Sequence, residues 1–537
     1  MTSAAKHKSR KTGRPVAQTV QTLDRRIEQK QVVITALALG VHLLLCLVAF
    51  DPKLHTGGDN TAYLLLAESL LRLGDGYSLN MNPGLPSPQT LYPFGFPLLL
   101  TLPMLIFGKS VIAFKALSSL FSLGSVLLFS LLIRRLVTPL IWCALLFTLA
   151  PNPIMVEYSH WVLTESPFLF FSLLAIYFLI RSEEKPGRVG VFFWSAVVTV
   201  AFTCLIRSAG ITLVAAAISY FLFNRKWLRL ALLTAGLCLL LIPWNVRNRM
   251  VQAEQEVSYG GVVFMKNPYS PHLGMIDAGG LLERMRNNSK IYFLNQCARG
   301  LFVTPAVPKP GGPVKTAAAV ITLLTLAGLM IRVARRRGIV EFYVLATLGL
   351  ALIWPEVWSD IRFIMPVVPF FLFYIAEFSV AVAAKASLND NLAQKIAVVV
   401  VGIFATGSLL TQLPAVQSNL RLLSRYAAGD QYAGYSANIR QFFESADWVR
   451  DNTAEDAVVT VRKPRLFNFL SGRKVLNYPY STDADSVLAV VMRTDYVVID
   501  AVSGTTGRYL VPALQKQPEN FKVVYNEKYA KVAEVIK

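Results

Sequence analysis

Two acidic side chains stand where an apolar stretch of the chain is about to begin, and each could transfer a proton. Asp59 follows two glycines, and Glu165 follows Thr164 in a second stretch. Both positions are typical of helix starts, Asp59 as an N-cap and Glu165 as an acid beside a Thr164 cap at the positive end of the helix dipole. Alternatively, each carboxylate faces a substrate and acts as a general base or acid. We therefore take Asp59 and Glu165 as candidate catalytic residues.

Three arginines beside apolar runs form the complementary set. Arg207 and Arg362 each adjoin such a run, and Arg247 follows a Pro-Trp pair. A lone charge costs roughly 2.5–3.5 kcal/mol at mid-membrane and less near the interface, so each arginine could simply extend to lipid headgroups. Otherwise the fork of guanidinium donors suits a phosphate. The sequence makes all three candidates for phosphate binding.

Polar and aromatic residues near the acids or in neighbouring motifs are candidates for lining a substrate pocket. They are Asn60, Tyr63, Tyr92 and His160. His55 and His160 precede the two acids, but they lack the tight spacing of a metal-ligand set. Two acids that lie close together could also share a divalent cation such as Mg or Mn. Metal binding stays open at this point.

Composition indicates where such a site would lie. The chain has 537 residues, of which 54% are hydrophobic and only 16% are charged, against roughly 25% charged in a soluble domain. Lipid must therefore cover much of the surface. The net charge of +21 could indicate nucleic acid, but we find no nucleic-acid motif, and cationic loops facing an anionic membrane explain it equally well.

Apolar runs predict an α-helical polytopic membrane protein with eleven spans after a basic N-terminus, residues 1–30. The runs cover residues 32–50, 110–133, 139–153, 166–180, 189–206, 210–223, 228–244, 316–331, 339–354, 363–383 and 396–413. One more run, 94–107, is short for a crossing and contains two prolines. It is therefore ambiguous.

The distribution of basic residues decides how that run is interpreted. If 94–107 does not cross, the short loops rich in Lys and Arg share the cytoplasmic side with the N-terminus, as the positive-inside tendency requires. We therefore expect a re-entrant or interfacial segment. The outer face then receives loops 51–109, 154–165 and 245–315, and both acids lie on that face of an inner (plasma) membrane protein.

The tail differs from the membrane part, residues 31–413. Residues 436–452 have the pattern of an amphipathic helix, and β-rich runs at 458–461, 496–499 and 521–525 alternate with helical stretches at 464–470 and 483–493. A hairpin should join 521–525 to 529–535. The pattern predicts a small extracytoplasmic α/β domain over 414–537.

Short motifs follow one another in order through the membrane part. They are Gly57–Asn60 with Tyr63 and Ala67, Gly74–Tyr77, Tyr92–Leu99, Leu105–Gly108, Tyr158–Ser159, Leu163–Phe168, Arg207–Gly210 and Arg362–Pro369. Together they resemble the C-type glycosyltransferases, in the branch of the protein O-mannosyltransferases and the lipid A aminoarabinose transferase. The tail is similar to the extracytoplasmic domain of many bacterial members.

The resemblance implies a polyprenyl-phosphate-linked sugar as donor, transfer on the outer face with inversion, and a glycan, lipid or protein acceptor. By position, Asp59 matches the first-loop catalytic acid of the family and Glu165 its second-loop acid. One departure stands out: the aminoarabinose transferase has Lys-Pro where this chain has Tyr92-Pro93. Arg207 or Arg362 would have to supply the missing charge, or the phosphate is held differently.

A polytopic transporter or lipid flippase is the alternative from another class, since eleven spans with a few charges could line a pathway. Transporters place ionisable residues near the bilayer midplane. In this chain the predicted spans are nearly free of acids, with Glu377 as the clear exception. The sequence therefore favours an enzyme over a transporter. A non-catalytic partner in polysaccharide assembly would require both acids to be dispensable.

Overall fold

The computed structural model describes residues 23–72, 74–184, 189–252, 259–301 and 312–537. Residues 1–22 of the predicted basic N-terminus, Lys185 and Arg188 of a predicted inner loop, and parts of the predicted outer loop 245–315 lie outside the described residues. All eleven predicted apolar runs are largely helical, and the fold class predicted from the sequence is confirmed.

Fifteen helices build most of the membrane part. They are α1 (Gln31–Val48), α2 (Gly58–Leu71), α3 (Gly95–Phe107), α4 (Val111–Ile133), α5 (Pro139–Leu149), α6 (Pro153–Ser159), α7 (Glu165–Glu183), α8 (Val191–Ile206), α9 (Ile211–Phe223), α10 (Trp227–Val251), α11 (Ala278–Ile291), α12 (Gly312–Arg336), α13 (Ile339–Ile353), α14 (Val368–Lys385) and α15 (Asp390–Ala427). Two-residue strands β1 (Ser78–Leu79) and β2 (Ser87–Pro88) pair within residues 51–109, the loop predicted to face outward, which we call the first outer loop. Helical turns such as Tyr259–Val262 and Cys297–Leu301 connect longer elements.

The predicted spans differ in length. Among the described residues, seven helices are long and apolar enough to cross a membrane, and the pair α5 and α6, bent by 50°, makes an eighth if it counts as one span. The other three predicted spans, α8, α9 and α13, have 16, 13 and 15 residues. At 1.5 Å per residue they measure about 20–24 Å, less than the roughly 30 Å hydrocarbon core. By length alone, up to eight of the eleven predicted spans among the described residues are long enough to cross fully.

Helix α3 is the ambiguous run. It has 13 residues with Pro103 inside, about 20 Å of helix. Phe96 and Leu100 are fully buried, whereas Leu105 is 69% exposed. One face therefore packs against the protein and the other is left for lipid. The interfacial position predicted for this run stays a prediction.

Helix α15 runs past the predicted boundary at 414. It spans 38 residues with Pro414 inside it. Asn419, beyond that proline, donates from Nδ2 to the carbonyl of Ala49 at 2.6 Å, and Leu422 is buried. Tertiary contacts hold these last turns against the membrane part, so the helical rod ends only at Ala427. The division into two domains itself stays a prediction.

The tail forms the predicted α/β arrangement. Its elements are α16 (Ala437–Asn452), β3 (Val458–Thr460), α17 (Pro464–Ser471), β4 (Lys474–Leu476), α18 (Ala484–Val491), β5 (Tyr496–Asp500), β6 (Phe521–Asn526) and β7 (Ala530–Val535). The sheet order is β4-β3-β5-β7-β6, with β3 parallel to both neighbours and β7 antiparallel to β5 and β6. Strand β4 was not predicted, because Lys474–Leu476 lacks the β-branched run that marks β3.

Neighbouring residues of β5 point to opposite faces of this sheet, each covered by helix. Val498 packs in one cluster with Phe442 of α16 and Phe467 of α17. Val497 packs in a second cluster with Val487 of α18. The alternation follows the two-residue period of a strand.

The tail packs closely on the first outer loop. The backbone N–H of Val475 in β4 donates to the carbonyl of Met81 at 2.8 Å, and Tyr435 Oη donates to the carbonyl of Leu54 at 2.7 Å. Phe467 shares an apolar cluster with Leu64 of α2. This docking brings α17 beside the start of α2, where Asp59 lies.

Candidate active site

Asp59 lies in the first turn of α2, and it does not cap that helix. Gly57 takes the N-cap position, so the N-cap alternative for Asp59 is wrong. Tyr92 Oη donates to Asp59 Oδ1 at 2.9 Å. The side chain of Asp59 is 43% exposed, and Arg362 Nη2 lies 3.6 Å from its Oδ2. The carboxylate is thus oriented by two partners and open to a substrate.

Glu165 is the first residue of α7 and is fully buried. Its Oε1 accepts from Arg207 Nη1 at 2.9 Å and from Arg362 Nε at 2.6 Å. Thr164 occupies the N-cap position, but no hydrogen bond from its side chain caps the helix in the described structure. The helix start therefore places Glu165 against two arginines, with Oε2 left buried and without a hydrogen-bond partner among the described residues.

A hydrogen bond to its backbone N–H fixes the position of Arg362. It lies in the 3-10 turn Ile361–Phe363, where Asp360 Oδ1 accepts from the backbone N–H of Arg362 at 3.1 Å. Burial disfavours its charge, but the carboxylates of Glu165 and Asp59 outweigh that penalty and raise the pKa of Arg362. The guanidinium stays charged and joins the two acids.

Arg207 completes the cluster from the end of α8, where it is the C-cap residue in extended conformation. Its guanidinium lies 5.0 Å from the centre of the Phe363 ring, a cation–π contact. The side chain of Arg207 is 12% exposed to solvent, and that of Arg362 is 27% exposed. We call Asp59, Glu165, Arg207 and Arg362 the acid–arginine cluster.

Arg247 makes a different set of contacts. Its Nη2 donates to the carbonyls of Gly76 and Tyr77 at 2.8 and 3.1 Å, and its Nη1 donates to the carbonyl of Gln89. The ring of Trp244 lies 5.3 Å below its guanidinium. These bonds hold the first outer loop, and they leave the predicted phosphate role of Arg247 without support in the geometry.

Three of the predicted pocket residues surround Asp59. The ring of Tyr63 meets that of Tyr92 edge-on with 5.1 Å between centroids. Burial, with the nearby Asp59 charge, raises the pKa of Tyr92 to about 12 and that of Tyr63 well above its usual value. Asn60 is 1% exposed and donates from Nδ2 to the carbonyl of His55 at 2.5 Å. The two tyrosines therefore stay protonated as hydrogen-bond donors.

His160, the fourth predicted pocket residue, lies elsewhere. It is 5% exposed, and its ring meets Phe50 edge-on at 6.0 Å. Nδ1 is buried without a hydrogen-bond partner in the described part of the chain. Burial lowers the pKa of His160 to about 4, so the imidazole is neutral and packs as an apolar ring.

Two cations from the tail reach this site, and sequence analysis missed both. Arg465 Nη1 lies 3.5 Å from Tyr92 Oη as a donor, with the guanidinium 5.8 Å from the centre of the Tyr92 ring. Lys463 Nζ donates to the carbonyl of Thr56 at 3.0 Å. The basic run 462–465 before a helix was the available signal, but nothing local shows that it meets residues about 400 positions away.

A cavity of about 580 Å³ lies beside the cluster. It is lined on one side by Leu91 and Pro93, which flank Tyr92, and on another by Leu205 and Ser208, which flank Arg207. Most of the other lining is apolar and includes Trp244. The cavity can hold an apolar chain, and the arginine on its wall is Arg249; Arg207 and Arg362 adjoin the cavity without lining it.

Comparison with known proteins gives two kinds of similarity. Residues 92–246 match the family model described as dolichyl-phosphate-mannose-protein mannosyltransferase. The fold is similar to that of ArnT from Cupriavidus metallidurans bound to undecaprenyl phosphate, with a TM-score of 0.58, 14% identity, and 94% and 98% of this and that chain covered. No curated protein sequence matches the chain.

Two structures of the Archaeoglobus fulgidus oligosaccharyltransferase are also similar. AglB in complex with an inhibitory peptide and a dolichol-phosphate gives a TM-score of 0.52 at 14% identity, covering 93% of this chain and 74% of that one. The complex with Zn and sulfate gives 0.55 at 12% identity, covering 94% and 73%. The predicted multi-pass membrane fold is thereby confirmed.

A shared divalent cation does not fit the two acids. The positive guanidinium of Arg362 contacts both carboxylates, and Glu165 Oε1 already accepts from two arginines. A cation between Asp59 and Glu165 would face that positive charge at short range. Within the described ranges, moreover, no group of three His, Cys, Asp or Glu side chains could hold a metal ion.

Proposed function

We propose that this chain, a membrane glycosyltransferase of the C-type fold, moves a sugar from a polyprenyl-phosphate carrier to an acceptor hydroxyl on the outer face of the membrane, with inversion. The observation that carries the proposal is the acid–arginine cluster: an exposed Asp59 and a buried Glu165 joined by Arg362. Similarity to the mannosyltransferase family model and to two lipid-linked sugar-transfer folds supports it.

The donor would lie with its prenyl chain in the 580 Å³ cavity and its phosphate at the arginines. ArnT was solved with undecaprenyl phosphate and AglB with a dolichol-phosphate. Contacts to the acids use one nitrogen of Arg207 and two of Arg362. Over the described residues, their other guanidinium nitrogens make no hydrogen bond to a side chain or carbonyl, so they can bind phosphate oxygens.

Asp59 would act as the general base. As the acceptor oxygen attacks C1 of the sugar, its proton passes to a carboxylate oxygen of Asp59. The bond between C1 and the phosphate oxygen breaks, and the polyprenyl phosphate leaves with the electron pair. Arg362 and Arg207 would stabilise the negative charge that develops on that oxygen. Attack from the opposite side inverts C1.

Glu165 would act as a positioning residue. It is fully buried and already accepts from both arginines, so its carboxylate is not free for a proton of the acceptor. Its role is to hold the two guanidinium groups in place. Arg465 adds positive charge next to Tyr92, the position at which the aminoarabinose transferase carries lysine, and would help to hold the donor phosphate.

The substitution Asp59→Asn, which replaces one carboxylate oxygen by an amide nitrogen, tests whether Asp59 is the general base. The assay uses purified full-length protein in detergent, labelled undecaprenyl-phosphate glucose or mannose as donor, and membranes from cells that lack this protein as the source of acceptor. Asp59→Asn should lower transfer by roughly 10²–10⁴-fold, the usual contribution of a general base. Asp75→Asn, an acid of the same outer loop, is the matched control. Near-wild-type transfer by Asp59→Asn would overturn the assignment.

The same assay addresses the transporter alternative, which the comparisons do not support. A transporter forms no glycosylated product, whereas the proposed enzyme forms it in detergent without any gradient. The sugar class, hexose or pentose, and the nature of the acceptor follow from mass analysis of that product. We further propose that the N-terminus is cytoplasmic and that the protein resides in the inner membrane.

A further inference from the structure

The carboxyl ends of the parallel strands in the tail form a topological switch point, and we call the space between the loops there the crevice. From β3 the chain crosses to β4 on one side, and from β4 it returns to β5 on the other side of β3. In open α/β sheets, ligands bind outside the carboxyl ends of the strands at such a switch point. The loops after β3 and β5 meet across it, where Arg462 Nε donates to Thr505 Oγ1 at 2.7 Å.

An exposed aromatic platform borders the crevice. Tyr480, after β4, is 48% exposed, and its hydroxyl accepts from Asn477 Nδ2 at 3.2 Å. The ring of Tyr509 lies 6.1 Å away at 32°, and the guanidinium of Arg462 stacks on Tyr480 at 4.5 Å. A fixed aromatic face of this kind packs against the C–H face of a sugar ring while leaving its hydroxyls free.

Unsatisfied polar groups stand beside the platform. Asp500, the last residue of β5, is 5% exposed, and its Oδ1 accepts from the backbone N–H of Val502 at 2.9 Å. Its Oδ2 is buried and finds no hydrogen-bond partner among the described residues. Within the same residues, the two terminal nitrogens of Arg462 donate no hydrogen bond. The crevice thus offers an acceptor and several donors to a ligand.

The crevice is close to the acid–arginine cluster. Arg462 faces the crevice, while Lys463 and Arg465 on the same short segment contact Thr56 and Tyr92 of the first outer loop. Because consecutive Cα atoms are 3.8 Å apart, the backbones of Arg462 and Arg465 are at most about 11 Å apart. The described contacts connect the crevice to Asp59 through Arg465 and Tyr92, so an extended ligand held in the crevice would point along this segment towards the cluster.

We propose that this crevice, formed by Arg462, Tyr480, Asp500, Thr505 and Tyr509, binds the saccharide portion of the acceptor, an inference that rests on the proposed function. A polyhydroxylated ring uses an aromatic face, an acceptor and several donors at once. The segment after β5 holds Gly504 and Gly507 but neither a P-loop nor a GxGxxG motif, so it lacks the signatures of the common nucleotide sites. Bound there, the saccharide would present its hydroxyl to Asp59.

Saturation-transfer NMR on the full-length protein in detergent tests binding directly. The probes are methyl glycosides of glucose, mannose, N-acetylglucosamine and glucuronic acid. We expect saturation of at least one glycoside by the wild type and by Arg493→Ala, which replaces an exposed arginine before β5, at the opposite end of the strands from the crevice. Tyr480→Ala and Arg462→Ala should abolish the signal, and Tyr480→Phe, which keeps the ring, should restore it.

Two results would overturn the inference: no glycoside is saturated by the wild type, or Tyr480→Ala gives the wild-type signal. Asp59→Asn separates this inference from the proposed function, since it should lose sugar transfer and keep the glycoside signal. In the transfer assay, Tyr480→Ala should raise the acceptor KM and leave the binding of labelled undecaprenyl phosphate unchanged. If the wild type transfers sugar and Tyr480→Ala has the same acceptor KM, the crevice is refuted and the proposed function still stands.

Discussion

Arg362 Nε lies 2.6 Å from Glu165 Oε1, and its Nη2 lies 3.6 Å from Asp59 Oδ2. One guanidinium therefore couples a carboxylate that is fully buried to one that is 43% exposed. The difference in exposure divides the roles, since the exposed acid can meet a substrate and the buried one can only hold the arginines. The predictions below test this division and the elements that maintain it.

Glu165→Gln should separate binding from turnover. Without the negative charge, Arg207 and Arg362 attract the donor phosphate more strongly, so KM for the donor should fall. Arg362 is held less firmly, since a neutral amide oxygen then faces its Nε, and a misplacement of about 1 Å costs roughly 10²-fold in kcat. Donor kinetics of the purified variant measure both effects. Glu68→Gln, which removes a surface ion pair with Arg72, is the control, and parallel losses in both variants would contradict the role.

Tyr92→Phe should weaken turnover by removing the hydroxyl that donates to Asp59 at 2.9 Å. A hydrogen bond to a charged group contributes about 1.5–3 kcal/mol, which predicts a loss of roughly 10–100-fold in kcat. The ring and its contact with Tyr63 remain, so the fold should be unaffected. Tyr269→Phe, on an exposed tyrosine, serves as control, and wild-type kcat in Tyr92→Phe would show that this bond is dispensable.

Gly95→Ala should disturb Arg207 from a distance. A Cβ at Gly95 would lie 2.7 Å from the carbonyl atoms of Leu205 and 2.8 Å from the nitrogen of Ile206, and this backbone directly precedes Arg207. Helix α3 or the end of α8 must shift, at a cost of about 1–3 kcal/mol in stability. Thermal denaturation and transfer assays should both show a loss. Gly349→Ala, with open space around the added Cβ, should show neither.

Removal of divalent cations should leave transfer unchanged. Arg362 and Arg207 together already neutralise the two acids, so the cluster does not depend on a cation for its charge balance. Transfer measured with and without excess EDTA checks this expectation. A loss in EDTA that Mg or Mn reverses would show that a cation takes part and that the arginine contacts rearrange around it.

His160 should make the fold sensitive to acid. Burial lowers the pKa of His160 from 6.5 to about 4. Between these two values the imidazole is protonated in the unfolded chain and neutral in the folded chain. Stability is therefore full above pH 6.5 and falls as the pH drops towards 4, by about 3 kcal/mol in total. Thermal unfolding of the wild type and His160→Phe between pH 7 and 4 measures the difference.

In that comparison His160→Phe should lose much of the acid sensitivity, because the buried ring packs on Phe50 and Nδ1 has no partner to lose among the described residues. His272→Gln, an exposed histidine on an outer loop, should behave as the wild type does. Equal acid sensitivity in wild type and His160→Phe would assign the effect to other groups.

The sequence by itself determined the elements and the candidate chemistry. Apolar runs and strand alternation are local patterns, so the spans, the amphipathic helix at 437–452 and the hairpin of β6 and β7 could be predicted. The candidate acids and the arginines Arg207 and Arg362 were also visible, because charge beside an apolar run is conspicuous and expensive. Strand β4 and the true length of α15 were not predicted. Lys474–Leu476 lacks the β-branched run that marks β3, and tertiary contacts, rather than composition, hold the last turns of α15.

Only the tertiary structure decided which of these residues meet. Arg362 and Glu165 are separated by 197 positions, and no periodicity relates them. Arg247 had the same local appearance as Arg207, yet its guanidinium binds backbone carbonyls of the first outer loop. Arg465 showed in the sequence only as part of a basic run, and it reaches Tyr92 only because the tail docks on that loop. Side-chain partners across such distances depend on how whole helices pack, which local sequence does not encode.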